Sequence, residues 1–232
     1  MGGLYTAVLV ECRRLKVLRF VLHNFIENLD SNWNFLIVHG LENGEWFRAM
    51  IAEEFPDQQN RFTFHEWPVA DFTALGYNQY IMSAAFYKLI PTETLLIFQG
   101  DTMISPQNKG LLKKFMQYDF VGAPWKWGGI GNGGLSLRKK SKMLEILKKY
   151  PVTEKFKHED SYFSKYIMRV PHNIPTEFDA QEFSIETVFR ERAFGLHAAW
   201  KHLPERLDDL RHIFPGLDTL IEQQPIVEAW GP

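Results

Sequence analysis

A carboxylate stands immediately beyond an apolar run, in Leu95-Leu96-Ile97-Phe98-Gln99-Gly100-Asp101-Thr102. In open α/β sheets ligands bind outside the carboxyl ends of the strands. Asp101, placed there, is suited to hold a divalent metal against a diphosphate. The plainer reading is a turn or helix-cap aspartate, because Thr102 and Ser105 precede a possible helix. Further on, Gly131-Asn132-Gly133-Gly134 runs directly into Leu135-Ser136-Leu137-Arg138. Glycine allows positive φ and close backbone approach to a ligand. The Asn132 amide offers a donor and an acceptor to a sugar hydroxyl. The alternative is a tight hairpin; the spacing fits neither a Walker A loop nor Gly-x-Gly-x-x-Gly. Trp125 and Trp127 just before it are hydrophobic cover or stacking platforms. His158-Glu159-Asp160 opens a helical pattern, where acidic residues first of all complement the macrodipole and cap the end. Facing a cleft, a carboxylate there can take a proton from an incoming hydroxyl. His197 reads as a packed histidine or, beside Asp101, as a second ligand for Mn or a similar ion.

Those residues need elements to position them. Short apolar runs predict strands over residues 4–11, 34–38 and 94–98, and alternating Phe62 and Phe64 predict one over 61–67. Helical spacing covers 14–29, 45–55 and 77–90, the last two ending at Pro56 and Pro91. Buried strands separated by helices predict an α/β domain with a mostly parallel central sheet flanked by helices. The second half reads as a helix over 107–118, a short strand at 120–121 and a loop over 122–134 with six glycines. A strand at 135–138, helices at 139–150 and 159–168, and an irregular or β stretch at 178–194 follow. A helical tail, 202–223, is interrupted at Pro215-Gly216.

Composition excludes several classes. The 232 residues are 45% hydrophobic with a net charge of -2, which argues against disorder and against nucleic acid as the main partner. A single cysteine, Cys12, excludes an internal disulfide and a cysteine-based zinc site. The start lacks the features of a signal peptide, and no apolar run reaches the roughly 18 residues that span a bilayer. Gly2 and Thr6 meet the myristoylation pattern formally, but the plainer reading is the start of strand one. The expectation is a soluble cytoplasmic protein. Aromatics are abundant, with 19 Phe, 8 Tyr and 7 Trp; the phenylalanines fall mainly on predicted core faces, while Trp125, Trp127 and Trp200 flank the candidate motifs.

Taken in order, Gln99-Gly100-Asp101, Gly122-Ala123-Pro124-Trp125, the block from Gly131 to Arg138, Glu159-Asp160 and Gly195-Leu196-His197 resemble the GT-A type of glycosyltransferase. More narrowly, the chain is similar to a family of glycosyltransferase-like proteins known as a domain of unknown function, over residues 4–203. The resemblance implies a single Rossmann-like GT-A domain: a nucleotide-sugar half (1–105), an acceptor half (106–203) and a helical tail (204–232). It implies an inverting hexosyl- or pentosyltransferase that uses Mn or Mg and takes a nucleotide-sugar donor and a glycan acceptor. The metal-binding Asp-x-Asp motif of that type reads Gln99-Gly100-Asp101 here, so the first Asp is replaced and Asp101 keeps the usual metal position. His197 matches the late histidine that completes metal binding. Glu159-Asp160 matches the acidic motif that supplies the base, with Asp160 the better match. Arg13, with Gln99 and Asp101, would contact the donor; Trp125, Asn132, Gly133 and Gly134 would contact acceptor or sugar. The competing reading is a non-catalytic nucleotide-sugar or carbohydrate binding domain on the same fold. A metal-dependent hydrolase would need more clustered His and Asp residues than the sequence offers.

Overall fold

The computed structural model describes residues 3–71 and 73–225. Gly2 of the myristoylation pattern and the end of the predicted 204–232 tail lie outside the described residues. The first half alternates β1 (Tyr5–Glu11), α1 (Val17–Asn28), β2 (Trp33–His39), α2 (Gly44–Glu54), β3 (Phe62–Glu66), α3 (Ala74–Ile81), α4 (Ala84–Leu89) and β4 (Thr94–Phe98). The second half continues with β5 (Thr102–Ile104), α5 (Leu112–Phe115), β6 (Phe120–Gly122), β7 (Leu135–Lys139), α6 (Lys140–Lys149) and α7 (Glu159–Ile167). It closes with α8 (Glu177–Ala180), β8 (Ser184–Ile185), β9 (Gly195–His197), α9 (Ala199–His202), α10 (Leu207–Ile213) and α11 (Leu217–Glu222).

Six strands form the central sheet in the order β3-β2-β1-β4-β7-β6. The first four pair in parallel, and β7 runs antiparallel to both its neighbours. This is the expected α/β architecture with a mostly parallel sheet between helices. Strand side chains alternate between the faces. Ala7 and Leu9 join Phe25, Phe35 and Phe98 on one side, while Val8 and Val10 join Phe86, Tyr87 and Tyr162 on the other. Burial on both faces is why the inner strands read as unbroken apolar runs rather than alternating ones. Most of the aromatic excess is core: Phe25 and Phe98 stack at 4.1 Å, and Phe115, Phe120, Phe163 and Phe183 are fully buried. No helix among the described residues is long and apolar enough to cross a membrane.

Two local expectations are corrected. The single helix over 77–90 is two, α3 and α4, because Ser83 is extended and caps α4 by accepting the Phe86 N–H at 3.1 Å. The helix over 107–118 shrinks to α5 and a preceding single turn. Thr102, which reads only as a residue ahead of a possible helix, lies in a strand. It begins β5, which pairs antiparallel with β9, and β8 joins β9 in parallel to make a second, three-stranded sheet. Strands of two or three residues are too short to carry a readable period.

Candidate active site

A cleft of about 300 Å³ opens beyond the carboxyl ends of β1 and β4. That is where the strand order reverses, with β2 on one side of β1 and β4 on the other. Parallel strands diverge there and leave a crevice. Arg13, Gln99, Asp101, Asn132, Gly133, Gly134, Glu159, Asp160 and His197 all line it. Trp125 does not: it stacks on Trp127 at the loop tip, with rings 6.2 Å apart and 10° from parallel, and the loop is pinned by the Gly129 N–H donating to Glu177 Oε1 at 2.6 Å. The 122–134 loop joins the antiparallel strands β6 and β7 through twelve residues with one bridge between Pro124 and Ile130, so it is a long hairpin connection and not the tight hairpin of the alternative reading.

The β5–β9 register places Thr102 opposite His197, which brings the histidine to Asp101. His197 Nε2 lies 3.3 Å from Asp101 Oδ1, and Lys201 Nζ donates to Oδ2 at 3.1 Å. Ala198, between the two cations, adopts φ 47°, an uncommon conformation for a residue with a Cβ. Its N–H donates to the Asp101 carbonyl at 2.9 Å, and its carbonyl accepts the Lys201 N–H at 2.9 Å. This turn swings Lys201 back over Asp101. On its other side His197 Nδ1 lies 3.2 Å from Glu186 Oε1. Burial opposes a charge on the imidazole, but the Asp101 and Glu186 carboxylates outweigh it and hold His197 up to about 10. Burial likewise opposes ionisation of Asp101, and His197 and Lys201 overcome it, holding the carboxyl well below the usual range. Lys201 and Glu186 carried no signal in sequence. Lys201 sits four residues after His197 on a helix of one turn, and Glu186 lies in the stretch without periodicity.

Glu159 is corrected as a candidate base. It is 3% exposed, and both carboxylate oxygens are taken by Arg138, at 2.7 and 2.8 Å. Arg138 is fully buried, donates to Tyr87 and Ser136 at 3.0 Å each, and lies 5.3 Å over the rings of Phe120 and Phe163. The pair ties β7 to the start of α7. Asp160 beside it is half-buried in the cleft, and among the described residues its carboxylate accepts only the Ser161 N–H, at 2.6 Å.

Asn132 is corrected as a sugar contact. Its Oδ1 accepts the Gly134 N–H at 2.9 Å and its Nδ2 donates to Glu186 Oε1 at 2.7 Å, so both ends of the amide are used within the protein. The glycines serve close packing of protein on protein. A Cβ on Gly133 would lie 1.8 Å from Glu159 Oε1, and one on Gly134 would lie 2.3 Å from His197 Nε2. Arg13 forms a two-point bond to Glu11 at 2.8 Å at the end of β1.

The site can be tested against a divalent ion. Among the described residues no three His, Cys, Asp or Glu side chains cluster as a ligand set. Two donors meet at the cleft, Asp101 Oδ1 and His197 Nε2. The cations around them are paired: Arg13 with Glu11, Arg138 with Glu159, Lys201 with Asp101. The lining therefore offers a diphosphate little surplus positive charge. The residues fit an ion that takes two ligands from protein and the rest from phosphate oxygens and water, a common arrangement for Mg²⁺ beside phosphates. His197 would lose its Nε2 proton to serve.

A family model matches residues 61–197, more than half of the chain, and that family is described as Protein of unknown function (DUF5672). No curated protein matches the chain. Among solved structures, the chain is similar to the mannosyltransferase PcManGT from Pyrobaculum calidifontis in complex with GDP-Man and Mn²⁺, with a TM-score of 0.53 and 14% identity over 76% of this chain. The chain spans 56% of that protein's length. At this identity the likeness concerns the fold.

Proposed function

The chain belongs to the DUF5672 family, and from its cleft we propose that it is a glycosyltransferase moving a sugar from a nucleotide-sugar donor to a hydroxyl of a glycan or other acceptor, with Mn or Mg as cofactor. The observation that carries this is the meeting of Asp101, from the end of a central strand, with His197, brought across by β9, in the switch-point cleft that Asp160 also lines. The fold likeness to a protein in complex with GDP-Man and Mn²⁺ supports it.

Asp101 and His197 would hold the ion, which when bound supplies Lewis-acid neutralisation of a departing nucleoside diphosphate. Arg13 and Gln99, on the β1 and β4 sides of the cleft, would contact the donor, and the Lys201 ammonium would face its phosphates. Asp160 would accept the proton of the acceptor hydroxyl. That oxygen forms a bond to the anomeric carbon as the carbon–phosphate oxygen bond on the opposite face breaks, which inverts the configuration. The backbone of Gly133 and Gly134 forms a wall of the cleft. The test is turnover of a panel of GDP- and UDP-sugars with Mn²⁺, comparing wild type with Asp101→Ala. Loss of turnover in the variant is expected; equal turnover in both would remove Asp101 from the mechanism. The second reading, a non-catalytic nucleotide-sugar binding domain, is favoured by Gln99 in place of an aspartate, and donor binding without transfer or hydrolysis would establish it.

A further inference from the structure

Glu186 follows β8 directly and is 6% exposed. Its Oε1 serves two partners, Asn132 Nδ2 at 2.7 Å and His197 Nδ1 at 3.2 Å. Asn132 is itself 7% exposed and locked by the Gly134 N–H. The other oxygen, Oε2, is buried and has no hydrogen-bond partner among the described residues. An orphaned buried carboxylate oxygen is destabilising. The pairing of β8 with β9 is made by Ser184 and Ile185 and does not need Glu186. The directional consequence of this carboxylate falls on His197. An acceptor at Nδ1 decides which ring nitrogen carries the retained N–H, and it sets the ring plane. With Nδ1 toward Glu186, Nε2 faces Asp101 Oδ1 in the cleft. The missing Cβ of Gly134 leaves the space the ring occupies.

We propose that Glu186, held by Asn132, is a positioning residue that orients His197 so that Nε2 is presented as a metal ligand. This rests on the reading of Asp101 and His197 as the ligand pair. It gives the Asn132-Gly133-Gly134 block a role inside the protein: Asn132 holds the carboxylate, and Gly134 admits the ring.

The test is titration of the full chain with Mn²⁺ alone, followed by calorimetry and by the electron-spin signal of free Mn²⁺, in wild type and in Glu186→Leu, Glu186→Gln, Asn132→Ala, Asp101→Ala and His197→Ala. Glu186→Leu should weaken Mn²⁺ binding by about 10- to 100-fold, the usual effect of losing a partner behind a histidine ligand. Glu186→Gln keeps an oxygen for the Nδ1–H and should recover most of that loss. Loss of binding in Asp101→Ala and His197→Ala with wild-type affinity in Glu186→Leu overturns the positioning role alone. Wild-type affinity in Asp101→Ala overturns the ligand pair and this role with it. Should Glu186→Leu fail to fold, Asn132→Ala decides: weakened Mn²⁺ binding supports the role, and unchanged binding overturns it.

Discussion

Glu159 and Asp160 are adjacent in sequence, yet only Glu159 has its carboxylate tied up by a cation among the described residues. Glu159 has both oxygens engaged by a guanidinium that never meets solvent, whereas Asp160 opens on the cleft. Asp160→Asn should lower transfer by about 10²- to 10⁴-fold, the span of a general base, and leave the melting temperature within a degree or two of wild type. Full activity in that variant would exclude Asp160 as the base. Glu159→Gln should instead act on the fold, because breaking a buried ion pair from one side costs about 3–5 kcal/mol. Urea denaturation measures this, and a change under 1 kcal/mol would show the pair to be dispensable. The His197 imidazolium makes the stability of the fold depend on pH. Its folded value, about 10, lies above the ordinary 6.5, so its stabilisation is complete below 6.5 and is lost as pH rises toward 10. Asp101 is shifted the opposite way, from 3.8 downward, so its share is present above that value and lost in acid. The stability difference between wild type and His197→Ala should therefore be largest near pH 5–6 and shrink toward pH 10. A difference that is flat with pH in denaturation curves would contradict the ion-pair account.

At the scale of elements, two very short strands and one hairpin loop build the site. β5 and β9 carry His197 to Asp101, and the strained Ala198 turn carries Lys201 there too. The loop's glycines are set by contact distance. Gly133→Ala would drive a methyl into the Glu159 carboxylate and through it into Arg138. Overpacking of this kind costs about 1–3 kcal/mol. Gly110→Ala is the matched control, since its Cβ meets no atom within 4 Å; where glycine conformation is ordinary the change stabilises by about 0.4–1 kcal/mol. Thermal melts of the two variants should move in opposite directions. Equal shifts would mean that the loop yields to the added methyl.

Over the whole molecule, the helices after residue 204 belong to the core of the first half. Leu210, Ile213, Phe214, Leu217 and Leu220 are buried in the same cluster as β1, α1 and β4 residues. Ser105 Oγ donates to the Ile213 carbonyl at 2.8 Å, and Gln224 Nε2 donates to the Gly100 carbonyl at 2.8 Å, one residue from Asp101. Each such apolar side chain contributes about 1.5–3 kcal/mol on burial, and a domain's net stability is about 5–15 kcal/mol. A chain ending at residue 203 should therefore fail to show a cooperative melt. A cooperative transition in the truncated chain would make the tail an appendage.

The amino-acid sequence by itself determined the α/β layering and the first four strands, because burial on both faces makes β1, β2 and β4 apolar runs, alternating Phe62 and Phe64 mark the edge strand β3, and the intervening helices repeat at about 3.6 residues. It also placed Asp101 beyond a strand end and Asp160 at a helix start, which are local properties of spacing. Tertiary structure decided which side chains meet. The Asp101–His197–Glu186 chain links residues up to 96 positions apart, and the Arg138–Glu159 lock and the Lys201 contact likewise join separate elements. Three-residue strands leave no period to read, and a hydrogen bond from Asn132 to Glu186 looks in sequence like an amide free to bind a sugar. A residue type states what a group can do chemically; whether its capacity is spent inside the protein or kept for a ligand depends on partners that only the folded chain brings within reach.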